Sequence, residues 1–394
     1  MREQTDALFQ NFQETFGSAE PGLWSAPGRT EIGGNHTDHQ RGKVLAGSVD
    51  AEMLCAAAAN GSGLVCVKSE GYPLFTVDLS QLEPQPEEAG QTAALVRGMC
   101  ALMAKDGAPV SGFNAYICSK VPKGSGLSSS AAFEVLIGAV VNSLFCGERY
   151  SPAELAILAQ QVENVYFGKP CGLMDQMACA WGGAIAIDFA DPEKPQVTPV
   201  HFDFDQSGHS LCMIDLKSDH ANLTGEYAAI PAEMGAVSHF FGKSVLREVD
   251  EAAFYARLPE LRAELGDRPV LRAMHFFNEN RRVDAETAAL NAGDFAEFLR
   301  LVRLSGQSSW LYLQNVVVGG SWQDQAAAVA LALCEKLLGE RGAFRIHGGG
   351  FGGTVQAFVP HELLESFRTG IEAVFGVGSC HVMRIRPEGV VRLQ

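Results

Sequence analysis

Glycine-rich segments at three separate places constrain the fold of this chain more than any other feature. Glycine accounts for 42 of the 394 residues, and it clusters in GRTEIGGNHTDHQRG (28–42), PKGSGLSSSAAFEV (122–135) and HGGGFGGT (347–354). A residue without a side chain permits sharp turns and lets the backbone approach a ligand or another strand closely. Each segment therefore predicts either a binding loop or a tight connection between packed elements.

Composition and charge exclude several classes of protein. The length allows two or three domains, or one large one, at roughly 150 residues per domain. Hydrophobic residues make up 47% and charged residues 19%, so the chain should fold throughout. The formal net charge is −16, the wrong sign for binding phosphate backbones or anionic lipid. We therefore expect no nucleic-acid partner and no membrane surface.

The N terminus and the cysteines indicate a cytoplasmic protein. The start MREQTDALFQ carries charge from its second residue and lacks an apolar stretch typical of secretory signals. The apolar runs elsewhere are interrupted well before the roughly 20 residues that a membrane span needs. Ten cysteines are scattered without a CxxC pair, which favours reduced thiols over a disulfide framework or a structural metal site.

The order of strand and helix patterns predicts an α+β fold of two domains, residues 1–195 and 196–394. Strand-like alternation dominates the first 120 residues, and helical patterns dominate 222–338. The segment DFADPEKPQVTP (188–199) is rich in proline and acidic residues, and we place the junction there.

Local signals place helices beside the second glycine segment. Residues 128–144 are rich in Ala, Val and Leu and predict a helix that begins where the glycines end. Ser151, Pro152 and Glu154 predict an N-cap, a first-turn proline and a capping box for the next helix.

The first glycine segment carries a high density of polar side chains. One interpretation is a solvated turn in which Asn and Asp cap their own backbone. The functional interpretation is a small polyol site, where fixed donors and acceptors replace water around several hydroxyls. The polar residues are Arg29, Glu31, Asn35, His36, Asp38, His39 and Arg41.

The second glycine segment predicts an anion site. Small residues let backbone N–H groups approach a phosphate, and the following helix directs the positive end of its dipole towards it. The spacing does not match the pattern GxxxxGK[ST], so a nucleotide site here is of another design. The alternative is a tight turn from strand to helix.

Two acidic residues in ENVYFGKPCGLMDQ (163–176) are candidates for chemistry. Glu163 could lie on a solvated helix face, and Asp175 could be an N-cap. Apolar neighbours suggest instead that Asp175 is partly buried, which would require a partner and could tune it as a base.

The third glycine segment has five glycines in seven residues before a strand, which is typical of close approach by a ligand. A crowded strand crossing is the alternative. His347 and the other histidines show no metal-ligand spacing, and we interpret them as structural or surface residues.

These segments, in this order and at these separations, resemble the signatures of the GHMP family of small-molecule kinases, and most closely its galactokinase branch. The resemblance spans nearly the whole chain, through residues 27–42, 122–132 and 348–354. It implies an N-terminal domain with a mixed sheet, similar to domain 2 of ribosomal protein S5. It also implies a C-terminal ferredoxin-like domain, with ATP bound between the two.

The resemblance also implies roles for individual residues. Asp175 would take the proton of the sugar C1 hydroxyl, and Arg29 would steer it and stabilise the transferring phosphoryl group. Ser130 and Glu163 would bind Mg²⁺. The implied sugar ligands are Asn35, His36, Thr37, Asp38 and Tyr227. The implied ATP-binding residues are Gly124, Ser125, Gly126, Leu127, Ser128, Ser129, Ser130, Gly349 and Gly350.

The chain departs from the family signature GEHTDY at two positions, with Asn35 in place of the glutamate that meets the sugar C6 hydroxyl, and His39 in place of tyrosine. Asparagine can still bond a hydroxyl, and it does not repel a carboxylate at C6. The run DHQ (38–40) resembles galacturonate kinases of the same family.

The expected activity is ATP- and Mg²⁺-dependent phosphorylation of galactose at C1. The alternative is a 1-kinase for galacturonate or another galactose-like sugar. A non-catalytic sugar sensor is a third possibility, against which the intact run 128–132 and Asp175 argue. The expected partners are the sugar and ATP, with a monomer or a weak homo-oligomer as the assembly.

Overall fold

The fold is taken from a computed structural model, which describes residues 2–17, 20–122, 126–217, 224–319 and 323–394. Within these ranges the helices are α1 (Arg2–Phe16), α2 (Thr92–Lys105), α3 (Ser129–Phe145), α4 (Pro152–Val162), α5 (Met174–Trp181), α6 (Thr224–Phe240), α7 (Glu251–Ala256), α8 (Leu258–Leu265), α9 (Asp267–Asn291), α10 (Phe295–Ser308), α11 (Ala326–Leu338) and α12 (Leu364–Phe375). The strands are β1 (Gly22–Gly33), β2 (Lys43–Ala59), β3 (Leu64–Ser69), β4 (Phe75–Asp78), β5 (Phe113–Ser119), β6 (Ala184–Asp188), β7 (Gln196–Val200), β8 (His209–Asp215), β9 (Ala343–His347), β10 (Thr354–Pro360), β11 (Cys380–Met383) and β12 (Val391–Arg392).

The first sheet is mixed and is built around the long strand β2. Its order is β12-β1-β2-β5-β3-β4, and β6 pairs with β2 and carries β7 at its other edge. The β3–β5 pair is parallel and the other pairs are antiparallel. The register of β1 on β2 shifts between Pro27 and Arg29 and again between Glu31 and Gly33. Such irregularities re-aim side chains, and these two flank Arg29 and Glu31 of the first glycine segment.

Helices α2 to α5 cover one face of this sheet and bury its apolar side chains in the largest hydrophobic core. The predicted helix after the second glycine segment is confirmed as α3. The predicted capping box is also confirmed, because Ser151 accepts from the Glu154 backbone N–H and the Glu154 carboxylate accepts from the Ser151 N–H. Helix α1 packs through Leu8 and Phe12 on the opposite side of β1 and β2, in a smaller cluster.

The second sheet is antiparallel, in the order β11-β8-β10-β9, and α11 and α12 pack against it. A third apolar cluster joins α6 to α9. The glycine-rich segment that follows His347 forms the turn between β9 and β10, which are adjacent strands.

The segment 188–199, where we place the domain junction, is partly a strand. Residues 196–200 form β7 and pair with β6. The division at residue 195 stays a prediction, although β7 and the C-terminal strand β12 both belong to the first sheet. The ten cysteines are all free. Across the described ranges, no helix has the length and apolarity that crossing a membrane demands.

Candidate active site

Arg29 and Asp175 form a two-pronged ion pair where the first sheet meets α5. The Nε and Nη2 atoms of Arg29 donate to the two carboxylate oxygens of Asp175 at 2.8 and 2.9 Å. Arg29 is 6% exposed, whereas the side chain of Asp175 keeps 33% of its surface. This parallel geometry is the strong form of an arginine–carboxylate contact. Asp175 lies in the first turn of α5 and is not its N-cap, which is Leu173.

The pair holds the Asp175 carboxyl in its ionised form. Burial acts to raise the pKa of Asp175, but the charge and hydrogen bonds of Arg29 and the hydroxyl of Ser128 outweigh it, and the pKa lies below its ordinary value. Burial likewise acts to lower the pKa of Arg29, and Asp175 reverses the effect. The expectation that Asp175 is partly buried with a partner is confirmed.

The predicted phosphate loop converges on this pair. The Ser128 hydroxyl donates to Asp175, and the Gly126 carbonyl accepts from Arg29 Nη1. The backbone N–H of Arg29 donates to the Leu127 carbonyl at 3.1 Å. Ser128 adopts a left-handed conformation (φ 53°) as the N-cap of α3. Gly124 and Ser125 lie outside the described residues.

Helix α3 offers its N terminus at the same place. Ser129 and Ser130 are its first two residues and are half-buried. The first backbone N–H groups of a helix have no partner within the helix, and they suit a phosphate group. The loop, the helix start and the Arg29–Asp175 pair are therefore contiguous.

Glu163 lies near Gln176 and Glu134, two residues that were not predicted from the sequence. It is 2% exposed, so a solvated helix face is wrong for it. Its Oε1 accepts from Lys169 Nζ at 3.0 Å, and its Oε2 accepts from Gln176 Nε2 at 2.8 Å. Gln176 also donates to Glu134 at 3.1 Å. Burial, and then the nearby Glu163, raises the pKa of Glu134 to about 8.

A signal for these missed residues was present in the sequence. Glu134 stands four residues after Ser130 on α3, a spacing that places both on one helix face. Gln176 directly follows the candidate base Asp175. Spacing from a known candidate could have found both, whereas their meeting across two helices could not be read locally.

Asp38 presents a carboxylate towards the same region. It opens a short helical turn within the first glycine segment, and it is half-buried. Burial raises its pKa, and the proximity of Asp175 adds to the effect. A Cβ atom on Gly172 would lie 1.8 Å from Asp38 Oδ2, so a side chain at that position would have to displace the Asp38 carboxylate.

The other predicted sugar ligands are engaged within the protein. Asn35 is fully buried, and its amide contacts Glu31, Gly348 and Asn315. His36 Nε2 lies 3.1 Å from the Gly349 carbonyl and its Nδ1 lies 3.3 Å from His39 Nε2.

Two further predicted sugar ligands hold backbone carbonyls. The Thr37 hydroxyl is placed to donate to Gly34 and Lys43. The Tyr227 hydroxyl donates to the Gly350 carbonyl at 3.2 Å. In the described structure the side chain of Thr37 therefore holds the backbone of the first glycine segment, and that of Tyr227 holds the turn between β9 and β10.

The turn between β9 and β10 packs directly on these residues. A Cβ atom on Gly349 would lie 2.4 Å from the ring of Tyr227, and one on Gly350 would lie 2.2 Å from the Asn315 carbonyl. These close approaches explain the glycine density. A Cβ on Gly126 would lie 3.2 Å from His347 Nδ1, so the turn also adjoins the predicted phosphate loop.

His347 is structural and not a surface residue. It is 2% exposed, and its Nε2 accepts from the Glu31 backbone N–H at 2.9 Å. Burial lowers its pKa well below the ordinary value, so the ring is neutral.

Comparison with known proteins agrees with this geometry. The family model "GHMP kinases N terminal domain" matches residues 94–183, and the model "Galactokinase galactose-binding signature" matches residues 10–59. The structure is similar to that of a Lactococcus lactis galactokinase complexed with galactose, with a TM-score of 0.85 and 26% identity. That similarity covers 99% of this chain and 100% of the other.

Two curated relatives are similar over nearly their whole length. A galactokinase of Streptomyces coelicolor is 29% identical over 95% of this chain and 94% of its own. A galactokinase of Actinobacillus pleuropneumoniae is 30% identical over 91% of this chain and 90% of its own. The predicted resemblance and the predicted α+β fold are confirmed, and the chain belongs to the galactokinase family of GHMP kinases.

Proposed function

We propose that this protein transfers the γ-phosphoryl group of ATP to the C1 hydroxyl of D-galactose, giving galactose 1-phosphate and ADP. One observation carries the proposal: an ionised carboxylate, Asp175, is held by Arg29 and Ser128 at the point where the phosphate loop and the start of α3 meet. The family relationship and the galactose complex of the L. lactis enzyme support the choice of reaction.

The residues divide the chemistry between them. The C1 oxygen attacks the γ-phosphorus, its proton passes to Asp175, and ADP leaves with the electron pair of the broken bond. A low pKa keeps Asp175 ionised before the transfer. Its partner Arg29 fixes the orientation of the carboxylate and places a positive charge beside the phosphoryl oxygens, where negative charge develops.

The residues around Glu163 fit a magnesium ion. Mg²⁺ prefers oxygen ligands, and the Ser130 hydroxyl and the Glu163 carboxylate supply them. The Oε1 atom of buried Glu134 has no hydrogen-bond partner among the described residues. A carboxylate pair with an orphaned oxygen is compatible with a cation. When bound, the ion would neutralise charge on the ATP phosphates.

The structure favours a neutral sugar over a uronate. Asn35 was one reason to consider galacturonate, beside the run DHQ (38–40), but the amide of Asn35 is occupied by protein groups. The groups that do face the site include the carboxylate of Asp38, which would repel an anion at C6. We therefore place galactose before galacturonate.

The test is ADP release from ATP and Mg²⁺ with D-galactose, D-galacturonate, N-acetylgalactosamine and D-glucose, each against a control without sugar. We expect the highest kcat/KM with galactose. Preference for galacturonate would keep the mechanism and overturn the sugar. Tight galactose binding without ADP release would favour a sensor.

The variant Asp175→Asn tests the role of the base. We expect kcat to fall by about 10²- to 10⁴-fold, because proton transfer is lost, while the Kd for galactose changes only a few-fold. Calorimetry gives the Kd and a coupled assay gives kcat. Equal losses in both quantities would contradict the assignment.

A further inference from the structure

The orientation of the Asn35 amide is dictated by its neighbours. Its Nδ2 lies 2.9 Å from Glu31 Oε1 and 2.6 Å from the Gly348 carbonyl oxygen. The Gly348 carbonyl can only accept, and so can Glu31 when ionised, so the nitrogen of the amide must face them. The Oδ1 atom of Asn35 consequently faces the other way.

The orientation of the Asn35 amide also fixes the orientation of the Asn315 side-chain amide. Asn315 Nδ2 lies 2.8 Å from Asn35 Oδ1 and 3.4 Å from the Gly349 carbonyl. Both positions are acceptors, so Asn315 must present its nitrogen to them. Both asparagines are fully buried, where a mismatched donor or acceptor is costly.

Asn315 also contacts the glycine-rich turn through its backbone. Its carbonyl accepts from the Phe351 N–H at 2.6 Å, and a Cβ on Gly350 would lie 2.2 Å from the same oxygen. Asn315 follows a π-helical turn, Ser309–Leu313, and a left-handed residue, Gln314 (φ 57°). Such departures from the α-helix are frequent at functional sites. The glycine-rich turn therefore contacts both the side chain and the backbone carbonyl of Asn315.

The same turn is connected to the sugar segment. Asn35 contacts Gly348, and His36 Nε2 lies 3.1 Å from the Gly349 carbonyl. Asn315 thus stands where the segment that bears the sugar candidates and the turn that bears the nucleotide candidates meet.

Resting on the proposed function, we propose that Asn315 is a positioning residue whose side chain locks the sugar segment and the glycine-rich turn in one arrangement and so couples galactose binding to nucleotide binding. Asn35 acts as the second member of this bridge. Linkage then requires each substrate to strengthen the binding of the other by the same factor.

The test compares wild type with Asn315→Asp. The new carboxylate has no N–H to offer Asn35 Oδ1 or the Gly349 carbonyl, and reversing Asn35 would only turn its oxygen towards Glu31. The matched control is Asn278→Asp on α9, where the amide oxygen accepts from Arg281 at 2.8 Å and a carboxylate does so equally well.

The measured quantity is the ratio of Kd values for the Mg²⁺ complex of a non-hydrolysable ATP analogue without and with saturating galactose, obtained by calorimetry. We expect a ratio of at least about 5 for wild type and Asn278→Asp, a coupling of ordinary size. Asn315→Asp should give a ratio near one, while its Kd for galactose alone changes little.

A ratio of one in wild type overturns the inference by itself. The inference can therefore be refuted even if the Asn315→Asp protein folds poorly. An unchanged ratio in Asn315→Asp, with galactose-dependent ADP release intact in wild type, overturns the inference and leaves the proposed function standing. If wild type shows no galactose-dependent ADP release, both the proposed function and the inference about Asn315 are refuted.

Discussion

Glu286 gives the protein a stability that depends on pH in a calculable direction. Its side chain is fully buried, and neither carboxylate oxygen has a hydrogen-bond partner among the described residues. A Cβ on Gly33 would lie 1.9 Å from its Oε2, so the carboxyl packs against backbone. Burial raises the pKa of Glu286 well above its ordinary value. The facing charged groups are Glu279, Arg345, Arg282 and Glu31.

The sign follows from proton counting. Above pH 4.5 the unfolded chain loses the proton of Glu286 while the folded protein keeps it, so the free energy of unfolding falls as the pH rises. The slope from one such group is about 1.4 kcal/mol per pH unit, and it levels off at the folded pKa. The stabilising contribution is complete below the unfolded pKa and is lost towards the folded one.

The variant Glu286→Gln keeps the shape and removes the titration. Unfolding free energies are measured by urea denaturation at pH 5, 6, 7 and 8. We expect the value for Glu286→Gln minus that for wild type to increase by about 1.4 kcal/mol per pH unit over the lower part of this range. Glu335→Gln, at an exposed position of α11, is the control and should stay within about 0.5 kcal/mol of wild type throughout. A difference between Glu286→Gln and wild type that does not change with pH would refute the reasoning.

Two further substitutions test the sugar segment. Gly172→Ala should raise the KM for galactose at least about 10-fold, because the new Cβ would displace the Asp38 carboxylate. Gly235→Ala, where nothing lies within 4 Å, should leave KM unchanged, and equal kinetics for the two variants would contradict the role of Asp38. Asn35→Glu should lower the unfolding free energy by about 3 kcal/mol, because it buries a second carboxylate against Glu31. Adding Glu31→Gln should restore part of that loss, and strictly additive effects in urea denaturation would exclude direct repulsion.

The resemblance to a family singled out Arg29 and Asp175 without giving their geometry. Arg29 and Asp175 are 146 residues apart, and only the resemblance to a family connected them. The register shifts in β1 and the first turn of α5 then set the two parallel hydrogen bonds. Glu163 was predicted as a metal ligand from the same resemblance, and its setting beside Gln176 and Glu134 came from the packing of three segments.

Sequence reasoning assigned Asn35 to the sugar because its motif position is a sugar contact in the family. In the described structure the amide of Asn35 contacts buried groups that local reading could not connect to it, since Gly348 and Asn315 lie about 300 residues away in the chain. His347 was predicted to be a structural or a surface residue, and only the fold showed that it is buried and accepts from the backbone N–H of Glu31.

What the sequence alone determined are features that depend on neighbouring residues: the glycine turns, the helix that begins after the second turn and the capping box of α4. These rest on backbone conformation and short-range hydrogen bonds, each of which is written in a few consecutive residues. The tertiary structure decided which buried polar groups meet. A donor buried in the core must find an acceptor wherever the fold brings one, and that acceptor is often far away in the sequence.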